Sequence, residues 1–138
     1  MRPAIAVLAF LMLSAPALAL DFEPNAQGQI EFMMPSGNIG CIYTPAGGTD
    51  VYEPVGGGPE LSCDRVEPSY MRVTLGPHGK ARRFGAVGDA TCCGSENIFD
   101  YRETWDMDGF HCASSTTGLK CRRGSHGFIV ARKSVKTW

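Results

Sequence analysis

The chain has 138 residues, 43 % of them hydrophobic, with thirteen Lys and Arg against fourteen Asp and Glu and a formal charge of −1. That length fits one domain once a leader is removed. A total so close to neutral gives no whole-molecule attraction to a polyanion, and with no zinc-finger spacing and no RNP-like aromatic strand it argues against specific nucleic-acid recognition.

Residues 1–19 read as a cleavable signal peptide. Arg2 supplies the positive start, Ala4 to Leu13 is an unbroken apolar run, and Ser14 and Pro16 end it. Ala17-Leu18-Ala19 then provides the small residues that a signal peptidase accepts. An apolar run of about ten residues is short of the roughly 20 needed to span a bilayer. No cysteine follows it closely, so a lipid anchor is not expected, nor any membrane anchor after cleavage. Residues 20–138 are expected to form a single disulfide-bonded β domain, periplasmic or extracellular.

Asp21 to Gln29 is polar and reads as a loose surface segment. Beyond it, dense Gly and Pro cut the chain into short pieces, the pattern of an all-β domain with many turns. Candidate strands are Gln29 to Met34, Ile39 to Tyr43, Glu60 to Arg65, Tyr70 to Leu75, Lys80 to Val87, Asp108 to Ser114, Leu119 to Arg123 and Gly127 to Arg132. Thr44 to Pro59 and Ala86 to Asn97 read as long loops with little to bury. Ser95 to Trp105 fits a strand or a short helix. The expected architecture is a small disulfide-stapled antiparallel sheet, or a partly open barrel or sandwich, with long Gly/Pro-rich loops.

The near-neutral total conceals a gradient. Asp21 to Glu67 holds eight acids and one base, whereas Pro68 to Trp138 holds eleven bases and six acids. The C-terminal stretch contains Lys120, Arg122, Arg123, Arg132, Lys133 and Lys136 with no acid. One reading is a surface for a protein or anionic partner. The simpler and favoured reading is that the two halves face one another, or that the charges are solvated.

All six cysteines lie beyond the leader, and an even number in an exported chain reads as disulfides. If Ser115 to Gly118 forms a hairpin loop, Ser114 faces Leu119 and Cys112 faces Cys121, within bridging distance. Cys41 and Cys63 flank the Gly-rich loop, where a second bridge would close it. Cys92 and Cys93 are left: they bridge each other, stay reduced, or pair elsewhere. A Cys-x-x-Cys redox motif is absent, and no Cys or His spacing supports zinc. No cofactor is expected.

The candidates for catalysis are weak. His111 and His126 are possible bases, with Asp106, Asp108 and Ser125 nearby in sequence, but no nucleophile elbow or phosphate loop frames them. His78 reads as an exposed turn residue. Asp106-Met107-Asp108-Gly109 looks like the start of a calcium loop, yet its glycine comes too early and the twelfth position is Thr117; an Asp-Gly turn explains it better. Trp105, Phe110 and Phe128 read as core.

Met34-Pro35-Ser36-Gly37-Asn38-Ile39-Gly40-Cys41 opens the domain; Gly109-Phe110-His111-Cys112, Gly118-Leu119-Lys120-Cys121 and His126-Gly127-Phe128 close it. In this order the motifs resemble a family of small secreted bacterial proteins of unknown function. The resemblance spans nearly the whole exported part and implies a fold and a compartment, but no reaction. It implies local bridges at Cys41–Cys63 and Cys112–Cys121. It also implies a partner for Cys92 within Tyr70 to Leu75, where this chain has no cysteine; the extra Cys93 therefore favours a Cys92–Cys93 bridge. The function expected is that of a non-enzymatic binding module. The alternatives are a hydrolase using a His/Asp pair and a thiol-redox switch at Cys92–Cys93.

Overall fold

The computed structural model describes residues 19–138, so the expected leader lies, except for Ala19, outside the described residues. Two sheets form the domain, and neither closes into a barrel. The first holds β2 (Ile30–Met33), β3 (Ile39–Thr44), β4 (Glu60–Arg65), β5 (Met71–Leu75) and β6 (Arg82–Phe84), adjacent in sequence order and antiparallel throughout. The second holds β7 (Thr104–Met107), β8 (Phe110–Ser115), β9 (Gly118–Arg123), β10 (His126–Val130) and β11 (Val135–Thr137), again a meander. β1 (Ala19–Leu20) adds a short parallel edge beside β7. A 3₁₀ turn at Val55–Gly57 is the one helical element among the described residues. No helix among them is long and apolar enough to cross a membrane.

Alternation decides which residues fill the space between the sheets. On the inner face of the first sheet, Phe32, Cys41, Cys63 and Val73 form one cross-strand row. On the inner face of the second, Trp105, Cys112, Cys121 and Phe128 form another. The Cys41–Cys63 and Cys112–Cys121 disulfides each join directly opposed residues, with Cα atoms 4.1 Å apart. The two rows meet where Phe32 packs on Trp105, ring centroids 5.1 Å apart. Trp105, Phe110 and Phe128 are all buried core.

Polar clamps join the sheets at their ends. Arg65 is buried without a carboxylate partner, donates to the carbonyls of Ser69 and Ala131, and has its pKa lowered by burial and by Arg83. The Tyr43 hydroxyl donates to Asp108 across the sandwich. Burial, then the Asp108 carboxylate, pushes the Tyr43 phenol well above its ordinary value.

Several sequence expectations need correction. The Asp21 to Gln29 segment is not loose, because Phe22 is buried and stacks on Phe32 at 5.4 Å. One phenyl ring anchors a segment whose other residues are polar. Ser95 to Trp105 is neither one strand nor a helix: Ile98 makes a single bridge to Met33, and β7 begins only at Thr104. β11 was not expected at all. The Cys112–Cys121 hairpin keeps the expected register but pairs Ser115 with Gly118, leaving Thr116-Thr117 as the turn. Asp108-Gly109 is the turn between β7 and β8, both residues at positive φ as a tight hairpin requires.

Candidate functional site

The outer faces of the two sheets differ. On the first, one cross-strand row runs Phe84, Arg72, Asp64, Gly40, Met33. The chain leaving β6 turns back along this row and crosses the sheet as a strap. Asp89 meets Arg72 at 2.8 Å, the Cys92 N–H donates to Tyr70 Oη at 3.1 Å, and Ser95 and Asn97 donate to the Glu31 carbonyl. Cys92 and Cys93 form a disulfide over Gly40. A Cβ on Gly40 would lie 2.9 Å from both sulfurs, so glycine makes the notch that seats the bridge.

Beneath the strap lies a charged network. Asp64 is buried and accepts a bidentate pair from Arg72, at 2.7 and 2.8 Å, while the Tyr70 hydroxyl donates to the same carboxylate. The hydrogen bond to Asp64 is the main reason the Arg72 pKa lies above its ordinary value, and Arg72 holds the Asp89 carboxyl below the usual range. Burial, then Asp64, raises Tyr70. On the same face, the Tyr52 hydroxyl of the β3–β4 loop donates to Glu60 at 2.6 Å, and burial first, then Glu60, pushes its phenol up to about 12. The cavity beside the disulfide measures about 120 Å³, and a second on the same face, between Tyr52, Glu60 and Phe84, about 240 Å³, both under the few hundred that hold a drug-sized ligand.

Among the described residues, no strap crosses the outer face of the second sheet. Its strand register lays out two cross-strand rows: Thr104, Ala113, Lys120, Ile129 and Lys136, then Asp106, His111, Arg122, Gly127 and Trp138. Lys120, Arg122 and Lys136 are exposed, and none of them has a carboxylate within ion-pair distance among the described residues. Trp138 pairs through its backbone with Gly127, and its ring crosses that glycine, so a Cβ there would sit 2.8 Å from the ring. The Lys120 ammonium lies 5.9 Å from the ring centroid.

Of the two arms of the favoured reading, solvated charges rather than facing halves describe the C-terminal bases: Lys120, Arg122, Arg132, Lys133 and Lys136 are exposed. Among the described residues one ion pair joins the halves, Arg72 with Asp64.

Of the sequence-derived catalytic candidates, the structure brings His111 to Asp106, and places His126 and Asp108 elsewhere. His111 pairs with Asp106 at 2.6 Å on the open outer face, half-exposed. His126 aligns with Arg123 and Phe110, on the inward row at the other side of the same sheet. It lines a shallow depression with His78, Arg123 and Ser125. Asp108 is taken by Tyr43, and its carbonyl accepts from Arg123. Among the described residues no group of three or more His, Cys, Asp or Glu side chains is placed to hold a metal ion.

No family model matches this chain. No curated protein and no solved structure matches it either.

Sequence reasoning named these bases but not their common face, which depends on pairings between β9, β10 and β11. It missed Asp64, Arg72 and Tyr70 as a network. The one local signal was an acid and an arginine at outward positions of neighbouring candidate strands.

Proposed function

We propose that the chain is an exported, non-enzymatic binding module of the bacterial envelope or surroundings, acting through the outer face of its second sheet. The observation that carries this reading is the pairing of a bare sheet face with three cations left without carboxylate partners. Cations of like sign on neighbouring strands repel one another, and an anionic or acid-rich partner relieves that repulsion. The rigid disulfide-bonded sandwich supports the reading, because a preorganised surface loses little entropy on binding. Export rests on the leader motif and on three disulfides, which persist in oxidising compartments. The resemblance to small secreted bacterial proteins belongs to the same proposal.

A hydrolase has weaker support, since His111, His126 and Asp108 have separate partners and separate faces. A thiol switch at Cys92–Cys93 has support only in its half-buried position at the surface.

The test is in-cell photo-cross-linking. A photoreactive residue at Ile129, in the centre of the open face, is expected to capture a discrete partner in intact expressing cells. The same residue at Lys80, an exposed turn position elsewhere, is expected to capture none. Equal labelling from both positions, or none from Ile129, overturns the reading. Intact mass of the protein recovered outside the cytoplasm is expected to begin at Leu20.

A further inference from the structure

The open face carries two different kinds of recognition chemistry side by side, and the strand register fixes their spacing. Lys120 and Lys136 stand in one cross-strand row with Ile129 between them, so their backbones are about 10 Å apart. Arg122 follows Lys120 on the same face of β9, roughly 7 Å along the strand. Beside Arg122, one strand beyond Gly127, the Trp138 ring is laid over the sheet and remains partly exposed, at 37 %. Three cations and one indole thus share one sheet face, and no loop among the described residues crosses it. The single acid on the face, Asp106, is engaged by His111.

The nature of these groups narrows the ligand. A lipid surface would call for protruding apolar side chains that enter the bilayer boundary; Ile129 is half-buried and flush with the sheet. Single-stranded nucleic acid is held on several aromatic platforms, one for each successive base, and this face offers one. A sugar ring needs only one aromatic partner, against which it lays its apolar C–H face. Carboxylates on the same or the next sugar would then meet Lys120 and Arg122 through charge-assisted hydrogen bonds. The Lys120 ammonium lies over the Trp138 ring, 5.9 Å from its centroid, so a stacking sugar displaces it from the ring and meets it instead through a carboxylate.

We propose that the outer face of the second sheet is a binding site for an acidic polysaccharide, with Trp138 as the stacking platform and Lys120, Arg122 and Lys136 as the carboxylate contacts. This rests on the binding-module reading above and names its partner.

The test uses the exported protein, with polygalacturonate as the probe, dextran as a neutral sugar polymer, and long-chain inorganic polyphosphate as a polyanion with neither sugar nor ring. Vesicles of anionic lipid complete the set. Calorimetry at low salt is expected to show binding to polygalacturonate and none to dextran. The triple variant K120Q/R122Q/K136Q is expected to bind roughly tenfold more weakly or worse. Trp138→Ala is expected to weaken polygalacturonate binding several-fold while leaving any polyphosphate binding unchanged, and Trp138→Tyr to restore most of the loss. All these side chains are exposed, and an unchanged thermal melt verifies that each variant is folded.

Three results overturn the proposal: no binding to polygalacturonate, equal loss for polyphosphate and polygalacturonate in Trp138→Ala, or binding only to vesicles. If Ile129 still cross-links a protein partner in cells while polygalacturonate fails to bind, the polysaccharide is wrong and the binding module stands. If both fail, both fall.

Discussion

Removing the three disulfides one pair at a time should have unequal consequences, which the positions of the bridges predict. Cys41–Cys63 spans a sequence separation of 22, Cys112–Cys121 one of 9, and Cys92–Cys93 one of 1. In the chain-entropy picture, with separation taken as loop length, these contribute about 3.4, about 2.6 and about 0.6 kcal/mol at room temperature. Packing widens the gap. All four sulfurs of the two longer bridges lie in the core, and each buried sulfur removed leaves a methyl-sized void worth about 1 kcal/mol. C41A/C63A should therefore cost about 5 kcal/mol and C112A/C121A between about 4 and 5, while C92A/C93A stays under about 1.5. The assay is urea unfolding of each double-Ala variant, followed by tryptophan fluorescence, since Trp105 lies in the row of Cys112 and reports the core. A variant already unfolded without urea counts as a loss at least equal to the parent's stability. If C92A/C93A destabilises as much as either core pair, the assignment of the vicinal bridge to the strap rather than the fold is wrong.

Gly40→Ala should push the strap away, because the new Cβ meets both sulfurs at 2.9 Å and only disulfide atoms among its three nearest neighbours. Overpacking of this kind costs about 1–3 kcal/mol; hydrogen exchange should rise in Asp89 to Gly94 far more than in β8 to β10, and uniform exchange would contradict it. Asp64→Ala leaves Arg72 with Asp89 alone and the Tyr70 hydroxyl without its acceptor; allowing for the partial exposure of Arg72, the loss should be about 2–3 kcal/mol by urea unfolding. Asp64→Asn, which keeps an acceptor for Tyr70, should lose less. Tyr52 is held up to about 12 by burial and by Glu60. The folded form therefore keeps its proton between the ordinary tyrosine value and that figure, so this contribution is complete below the unfolded value and is lost as pH rises through the folded one. The phenolate absorbance difference between the parent and Tyr52→Phe should rise near pH 12; a rise at the ordinary tyrosine value would refute the Glu60 contact.

Much of the fold was legible because its bonds are local. Each sheet is a meander, so alternation within a segment and a turn between segments fix both pairing and face; β4 from Glu60 to Arg65 and the Asp108-Gly109 turn follow from such cues. What escaped depends on distant partners. Phe22 is one ring in a polar stretch, and its burial requires Phe32 and Phe99. β11 has only three residues between Ser134 and Trp138, with an outward lysine, and is a strand because β10 offers an edge. The strap has little apolar content of its own and is held by Arg72, Tyr70 and the Glu31 carbonyl, residues that no local pattern links to it. The open face was half legible: the bases are plain in the sequence, whereas their alignment with Trp138 is a property of register.

The disulfides have one further consequence, for biogenesis. They join the first cysteine to the second, the third to the fourth and the fifth to the sixth, one of 15 possible patterns. A chain threaded N-terminus first through a membrane pore presents its cysteines in that order. An oxidase that links each thiol to the next one to emerge reaches the native pattern directly, with no mispaired bridge to reshuffle. On the proposed export, accumulation of the fully oxidised protein should then depend on a thiol oxidase and be indifferent to the loss of a disulfide isomerase.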